Sequence, residues 1–121
     1  MRSHHYSLLL AGVIILLGAP HALGASQCKP AVTVKEYEFS PVRMSQRTWT
    51  ARIAVDASPC ATASGRFNVD FVRTKEDAPD LRFTQQFTWT PGQVEASTNF
   101  ARDEFVLDFS IGDVAPCPCR Q

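Results

Sequence analysis

Apolar and polar residues alternate along most of the chain after residue 30, and a period of two is typical of half-buried β-strands. The same region shows no apolar stripe of the kind that predicts an amphipathic helix. The alternation predicts six strands, over residues 31–39, 47–56, 66–73, 81–89, 93–100 and 104–111. In the first strand the apolar phase shifts between Val34 and Tyr37, which indicates a β-bulge near Lys35 and Glu36.

Each predicted strand turns one row of apolar side chains toward a common core. After Val32 and Val34 of the first strand, the inward rows are Trp49, Ala51, Ile53 and Val55; Phe67, Val69 and Phe71; Leu81, Phe83, Phe87 and Trp89; Val94, Ala96 and Phe100; and Phe105, Leu107, Phe109 and Ile111. Gln85 interrupts the fourth row, and we expect it to be hydrogen-bonded at a sheet margin. Large aromatic residues on alternate positions of several strands fill a core between two sheets. The pattern therefore predicts an all-β domain, a small antiparallel β-sandwich of about six to seven strands.

Proline and glycine mark the connections between the predicted strands. Thr90-Pro91-Gly92-Gln93 fits a type II turn, since proline presets φ at the second position and glycine accepts a positive φ at the third. In its strand rhythm and its Trp89-Thr90-Pro91-Gly92 turn, the chain resembles immunoglobulin-like and fibronectin-III-like sandwiches. The resemblance implies the sandwich fold. It transfers no functional residue, because the chain lacks the cysteine pair around a core tryptophan and the tyrosine corner.

The N-terminus has the features of a secretory signal peptide. Leu8 to Leu17 form an apolar run of about ten residues, and Pro20 ends it. Small residues at Ala22 and Gly24 predict a signal peptide over residues 1–24, with cleavage after Gly24 or Ala25. A membrane-spanning helix needs about twenty apolar residues, so no transmembrane anchor is expected after cleavage. We expect a secreted or periplasmic protein with a single domain, residues 25–121.

Removal of the predicted signal peptide removes every histidine, because His4, His5 and His21 all lie within it. The remaining chain cannot carry a Ser-His-Asp or Cys-His catalytic centre, nor a histidine-based metal site. We therefore expect a protein that is not an enzyme, with no catalytic residue and no cofactor. Its eleven basic and twelve acidic side chains form no basic cluster, so nucleic acid is not an expected partner.

Four cysteines follow the predicted signal peptide: Cys28, Cys60, Cys117 and Cys119. If consecutive strands run alternately up and down, all four gather at one pole of the domain. A bond between Cys117 and Cys119 would close a very tight ring, so we expect Cys28 and Cys60 to pair separately with the two C-terminal cysteines. The alternative is a thiol or metal-binding protein, in which the four thiolates hold zinc or Cys117-Pro118-Cys119 exchanges disulfides. An oxidising compartment favours disulfides.

The opposite pole is predicted to be charged. Glu76, Asp77 and Asp80 are a calcium candidate, because carboxylate oxygens in sandwich loops are suitable calcium ligands. The simpler interpretation is a solvated surface, with these acids neutralised by basic residues expected near the same end: Arg43, Arg47, Arg73, Lys75 and Arg102.

Trp49 and Trp89 have two interpretations as well. Both lie in phase with inward apolar residues, which predicts core packing. The alternative is an exposed aromatic platform for a carbohydrate or a peptide.

These features predict an exported, non-enzymatic module that works through its surface in binding, adhesion or envelope assembly. Its expected partner is another protein or a component of the cell envelope. A second alternative, besides the thiol or metal-binding protein, is a small secreted inhibitor that inserts a rigid exposed loop into its target. The sequence singles out neither such a loop nor a ligand-binding surface.

Overall fold

The structure is a computed structural model that describes residues 26–121. The predicted signal peptide and its cleavage site lie outside the described residues. Among residues 26–121 no helix is present that is able to cross a bilayer. The strands, in chain order, are β1 (Gln27–Cys28), β2 (Ala31–Phe39), β3 (Gln46–Asp56), β4 (Gly65–Lys75), β5 (Ala78–Trp89), β6 (Gly92–Ala101), β7 (Glu104–Val114) and β8 (Cys117–Pro118).

Two three-stranded antiparallel sheets pack face to face as a small β-sandwich. One sheet has the order β2-β3-β6 and the other the order β5-β4-β7, while β1 and β8 form a separate short pair. The all-β prediction and the six predicted strands are confirmed, and β2 has the predicted bounds. The two-residue strands β1 and β8 were not predicted, because they are too short to show an alternation.

Alternate residues of β3, β4 and β6 form the centre of the core. Trp49 and Trp89 are fully buried, which confirms their predicted core packing and excludes an exposed platform. The ring of Phe71 joins the two sheets, since its centroid lies 4.9 Å from that of Trp49 and 5.6 Å from that of Phe100. Edge-to-face contacts of this kind add to the free energy that apolar burial contributes.

The turn between β5 and β6 has the predicted chemistry. Gly92 adopts a positive φ of 99°, the conformation that the third position of a type II turn requires. The chain crosses there from one sheet to the other, because β5 pairs with β4 whereas β6 pairs with β3.

Four register shifts interrupt the strand pairing among residues 26–121, and two of them, in β2 and at Leu107 of β7, concern rows that were predicted to face inward. The register of β2 shifts between Val34 and Glu36, as predicted. In β7, Asp108 pairs with Val72 but Val106 pairs with Arg73, so Leu107 is an extra residue. This second bulge was not predicted.

The bulge in β7 corrects the predicted inward row of that strand. Val106 packs against the core, whereas Phe105 is 52% exposed and Leu107 is 58% exposed. Leu81 of β5, which was also predicted to face inward, is 45% exposed. It pairs with Arg73 at an end of the sandwich where charged residues replace the apolar core.

Candidate functional site

Both disulfides lie at one end of the sandwich, here called the cysteine pole. Cys28 is bonded to Cys119 and Cys60 to Cys117, across 91 and 57 residues of sequence. The bonds confirm that the cysteines gather at one pole and that Cys28 and Cys60 pair with separate C-terminal cysteines. Because each bond restricts the unfolded chain, each contributes about 2–4 kcal/mol to the free energy of unfolding.

Backbone hydrogen bonds also hold the C-terminal segment to the sandwich. Ala61 N–H donates to the Pro118 carbonyl and Arg120 N–H to the Pro59 carbonyl, both at 2.8 Å. Residues 26–121 contain no free cysteine. The thiolate ligands that a zinc site or a thiol-exchange reaction would need are therefore all consumed in the two disulfides.

One carboxyl group near this pole has a shifted pKa. Asp56 ends β3, and its Oδ1 accepts a hydrogen bond of 3.0 Å from the Ser58 backbone N–H. Hydrogen bonding by the Ser58 hydroxyl, and by this N–H to a smaller extent, holds the pKa of Asp56 below its usual value of 3.8. The shift reflects a local turn interaction on an exposed residue, which is a structural role.

The opposite end, here called the charged pole, carries the predicted basic and acidic residues. Arg73 Nε lies 2.7 Å from Glu104 Oε2, and Lys75 Nζ lies 3.5 Å from Asp103 Oδ2. The other oxygen of Glu104 accepts a 2.8 Å hydrogen bond from Ala101 N–H, so one carboxylate connects the β6–β7 turn to β4. These contacts place the β4–β5 and β6–β7 turns together, as predicted.

The calcium candidate is not assembled in this structure. Glu76 and Asp77 occupy the tip of the β4–β5 turn, whereas Asp80 already belongs to β5. Among residues 26–121, no group of three or more histidine, cysteine, aspartate or glutamate side chains is arranged to hold a metal ion. Glu76, Asp77 and Asp80 are exposed and form no ion pair within residues 26–121, which fits a solvated surface; the ion pairs at this pole are made by Asp103 and Glu104 instead.

The sandwich has two lateral sides, each formed by one edge strand from each sheet. At the β5–β6 side, Thr98 Oγ1 of β6 donates a hydrogen bond to Gln85 Oε1 of β5. Phe83 and Phe100 also meet across this side, with their ring centroids 5.9 Å apart. Gln85 is therefore a hydrogen-bonded residue at a sheet margin, as predicted, and its partner belongs to the other sheet.

The β2–β7 side leaves large apolar residues exposed, although β2 and β7 approach each other. Tyr37 pairs with Ala51 and Phe39 with Trp49, so both aromatic residues belong to the inward row of their sheet. Tyr37 is nevertheless 57% exposed and Phe39 is 40% exposed. The centroid of the Tyr37 ring lies 4.7 Å from that of Phe109 of β7, which is the main aromatic contact across this side.

Exposed large apolar residues are concentrated at this side and at the adjacent β2–β3 turn. Leu81 of β5 is the single exception among residues 26–121. We call the other six the apolar edge: Tyr37, Phe39, Val42, Met44, Phe105 and Leu107. The centroid of the Phe105 ring lies 5.2 Å below the Arg47 guanidinium, a cation–π contact at the charged pole.

The turn between β2 and β3 projects the most exposed of these residues. Met44 is 98% exposed, and both Met44 and Ser45 adopt positive φ angles, 51° and 63°. A two-residue hairpin turn of this type favours asparagine and glycine, because positive φ is sterically unfavourable for most other residues. The Ser45 carbonyl accepts a 3.0 Å hydrogen bond from Arg102 N–H, which holds the turn against the β6–β7 turn.

Sequence reasoning missed the apolar edge for an identifiable reason. The phase shift to Tyr37 and Phe39 was recognised, but a row on an edge strand is covered only if the facing sheet extends over it. Phe105, Val106 and Leu107 are three consecutive apolar residues, so they satisfy either phase of a strand. This run was the available signal that the inward row of β7 was ambiguous.

The chain matches no protein-family model, no curated protein and no solved structure.

Proposed function

We propose that this protein is an exported, non-enzymatic binding module whose binding surface is the apolar edge. The observation that carries the proposal is the concentration of exposed large apolar residues at one side of the sandwich and the turn beside it. Isolated exposed apolar residues are common on proteins, whereas grouped ones are typical of interaction sites. The expected partner is another protein or a component of the cell envelope.

The two disulfides support export. They are compatible with an oxidising extracellular or periplasmic compartment, and such bonds are rare in the cytosol. The signal peptide inferred for residues 1–24 leads to the same compartment.

The strand order supports an immunoglobulin-like assignment. Immunoglobulin-like sandwiches place their first, second and fifth strands in one sheet, and their third and sixth in the other. The orders β2-β3-β6 and β5-β4-β7 have this connectivity when β2 is taken as the first strand and β5 as an additional edge strand beside the third. In sandwiches of this kind, loops and edges on a rigid frame are the usual binding elements.

Site-specific photo-cross-linking in the exporting cell tests the proposal. A photoreactive phenylalanine analogue at Phe105 or Leu107 should yield a discrete covalent adduct with a partner. The same analogue at Leu81, which is exposed on the other side, is the matched control and should yield none. Equal labelling from all three positions, or no adduct from any, would contradict a binding surface at the apolar edge.

A second candidate function is a small secreted inhibitor, and the Met44–Ser45 turn favours it. This turn presents Met44, an apolar side chain that is 98% exposed, on a backbone with two positive φ angles, the arrangement in which a loop inserts into a pocket of its target. Replacing Met44 with alanine should then abolish binding, while changes at Leu107 leave binding intact. The opposite result favours the apolar edge as a whole.

A further inference from the structure

Among the described residues, no strand lies beside the outer edge of β7. Within residues 26–121, β7 pairs only with β4 and β2 pairs only with β3, so each presents a free edge at the β2–β7 side. The backbone N–H and C=O groups along a free edge are available to pair with a further strand. In the seven-stranded immunoglobulin-like arrangement, the position next to the sixth strand belongs to a seventh strand.

Residues 26–121 do not fill that position. After β7 the chain turns to the cysteine pole, where β8 pairs with β1 and Cys117 and Cys119 are bonded to Cys60 and Cys28. The missing strand would lie beside Phe109 and Leu107 of β7 and face Tyr37 of β2. Its absence explains why inward-row residues on this side stay exposed.

The charges beside both free edges indicate what kind of strand fits. On the outward faces, β2 carries Glu36 and Glu38, and β7 carries Asp108 and Asp113. Glu36 contacts Arg52 at 3.4 Å, but Glu38, Asp108 and Asp113 form no ion pair within residues 26–121. A strand laid against β7 would place its own outward side chains beside Asp108 and Asp113.

A second copy of this chain fits poorly at this position. Pairing β7 with another β7, or with the β2 edge of another copy, which carries Glu36 and Glu38 but a single Lys35, places mainly carboxylates beside carboxylates, and like charges directly opposite each other destabilise a sheet. Lysine or arginine opposite the same carboxylates stabilises it. The unpaired acids therefore favour a different chain with cationic outward residues.

We propose that the apolar edge binds its partner by strand addition, with an extended partner segment pairing along the free edge of β7. The segment alternates apolar side chains, which cover Leu107, Phe109 and Tyr37, with lysine or arginine side chains, which face Asp108 and Asp113. This inference rests on the proposed function, since it specifies how the same surface binds.

Synthetic peptides test the chemistry of the segment on the disulfide-bonded protein. The probe is a peptide of about nine residues that alternates lysine with valine, the length of an ordinary strand. One control peptide has the same composition with all lysines preceding all valines, and another replaces lysine with glutamate. By titration calorimetry we expect the alternating lysine peptide to bind at least about tenfold more tightly than either control.

Hydrogen exchange distinguishes strand addition from other contacts. On binding, amides of β7 should gain protection, while amides of the β5 edge should not. Protection of β5 instead, or binding without protection of β7, would overturn the proposal. So would binding to phosphatidylglycerol vesicles in place of the peptide, or a concentration-dependent dimer that protects β7 without peptide.

Matched variants complete the test. Leu107→Lys should weaken binding of the alternating peptide about tenfold or more, and Leu81→Lys, at a similarly exposed leucine on the other side, should leave it unchanged. Asp108→Lys should weaken it about fivefold, with Asp80→Lys as its exposed control. Because all four positions are exposed, the variants are expected to fold.

The outcomes separate this inference from the proposed function. Cross-linking of a partner from Leu107, without protection of β7, would retain the binding surface and reject strand addition. Failure of both the cross-linking and the peptide binding would reject both.

Discussion

The two lateral sides of this sandwich each consist of one edge strand from each sheet, but they differ in the contacts between the sheets and in the exposure of their apolar residues. At the β5–β6 side, a hydrogen bond between Thr98 and Gln85 and a contact between Phe83 and Phe100 join the sheets. At the β2–β7 side, Tyr37 and Phe109 are in contact, but apolar residues around them remain exposed. The first side therefore contributes more to the stability of the domain, whereas the second leaves more apolar surface exposed to solvent.

Truncation of one phenylalanine on each side should give the largest contrast. Phe100 is 3% exposed, so Phe100→Ala should lower the free energy of unfolding by about 3 kcal/mol or more, through lost burial and a cavity. Phe105 is 52% exposed, so Phe105→Ala should lower it by less than about 1 kcal/mol. Urea unfolding measures both values. Equal losses would show that the two sides carry equal weight in stability.

Removal of the hydrogen bond across the β5–β6 side should have a smaller effect. Thr98→Val leaves the amide of partly buried Gln85 without its partner, and should cost about 1–2 kcal/mol. The double variant Thr98→Val/Gln85→Leu replaces both polar groups with apolar ones and should regain most of the loss. A thermodynamic cycle of the two single variants and the double variant measures the coupling. Additive losses would argue against the hydrogen bond.

Substitution of an exposed apolar residue on the β2–β7 side should change the exposed apolar surface more than the free energy of unfolding. Leu107→Lys should change the free energy of unfolding by no more than about 0.5 kcal/mol, because Leu107 is mostly exposed. It should also reduce binding of the dye ANS, which reports exposed apolar surface. Leu81→Lys is the control and should reduce dye binding less, since Leu81 is isolated from the other exposed apolar residues. A larger reduction of dye binding by Leu81→Lys than by Leu107→Lys would indicate that the exposed apolar surface lies at the β5–β6 side.

The smallest effect is expected at Ser58, which lies outside both lateral sides and provides a reference for the other variants. The lowered pKa of Asp56 means that its interaction with Ser58 stabilises the fold above about pH 4 and is lost as the pH falls through the folded-state pKa. Ser58→Ala should therefore lower the Tm slightly at pH 7, and this difference from the parent should vanish near pH 2. Ser64→Ala, in the exposed loop before β4, is the control. A difference that persists at low pH would show that Ser58 acts through something other than the Asp56 carboxylate.

The sequence was sufficient to predict the strands but insufficient to predict that the β2–β7 side leaves apolar residues exposed, and the reason is physical. Alternation reports which face of a strand is apolar, so β2 to β7 were found with nearly correct bounds. The alternation does not report whether the opposite sheet extends over that face, so it could not predict the exposure of Tyr37 and Phe39. The bulge at Leu107 depends on how β7 registers with Arg73 of β4, which is a long-range property.

The position of the cysteines at one pole was predictable from the alternating strand directions, whereas the conformation of the Met44–Ser45 turn was not. Alternating strand directions predicted that all four cysteines gather at one pole, whereas which C-terminal cysteine bonds to Cys28 and which to Cys60 was left open by the sequence. Positive φ angles at a methionine and a serine contradict local preference and are set by the surrounding contacts. Local sequence preference therefore gave no indication of this turn.

The Cys28–Cys119 bond has a mechanical consequence. It joins the segments that precede and follow the two sheets in sequence, with a sequence separation of 91 between the bonded positions. Tension applied to the backbone before Cys28 and after Cys119 would pass through the sulfur bridge and bypass the hydrogen bonds of both sheets. The β2–β7 side would therefore stay undeformed while the chain is under tension at those two points.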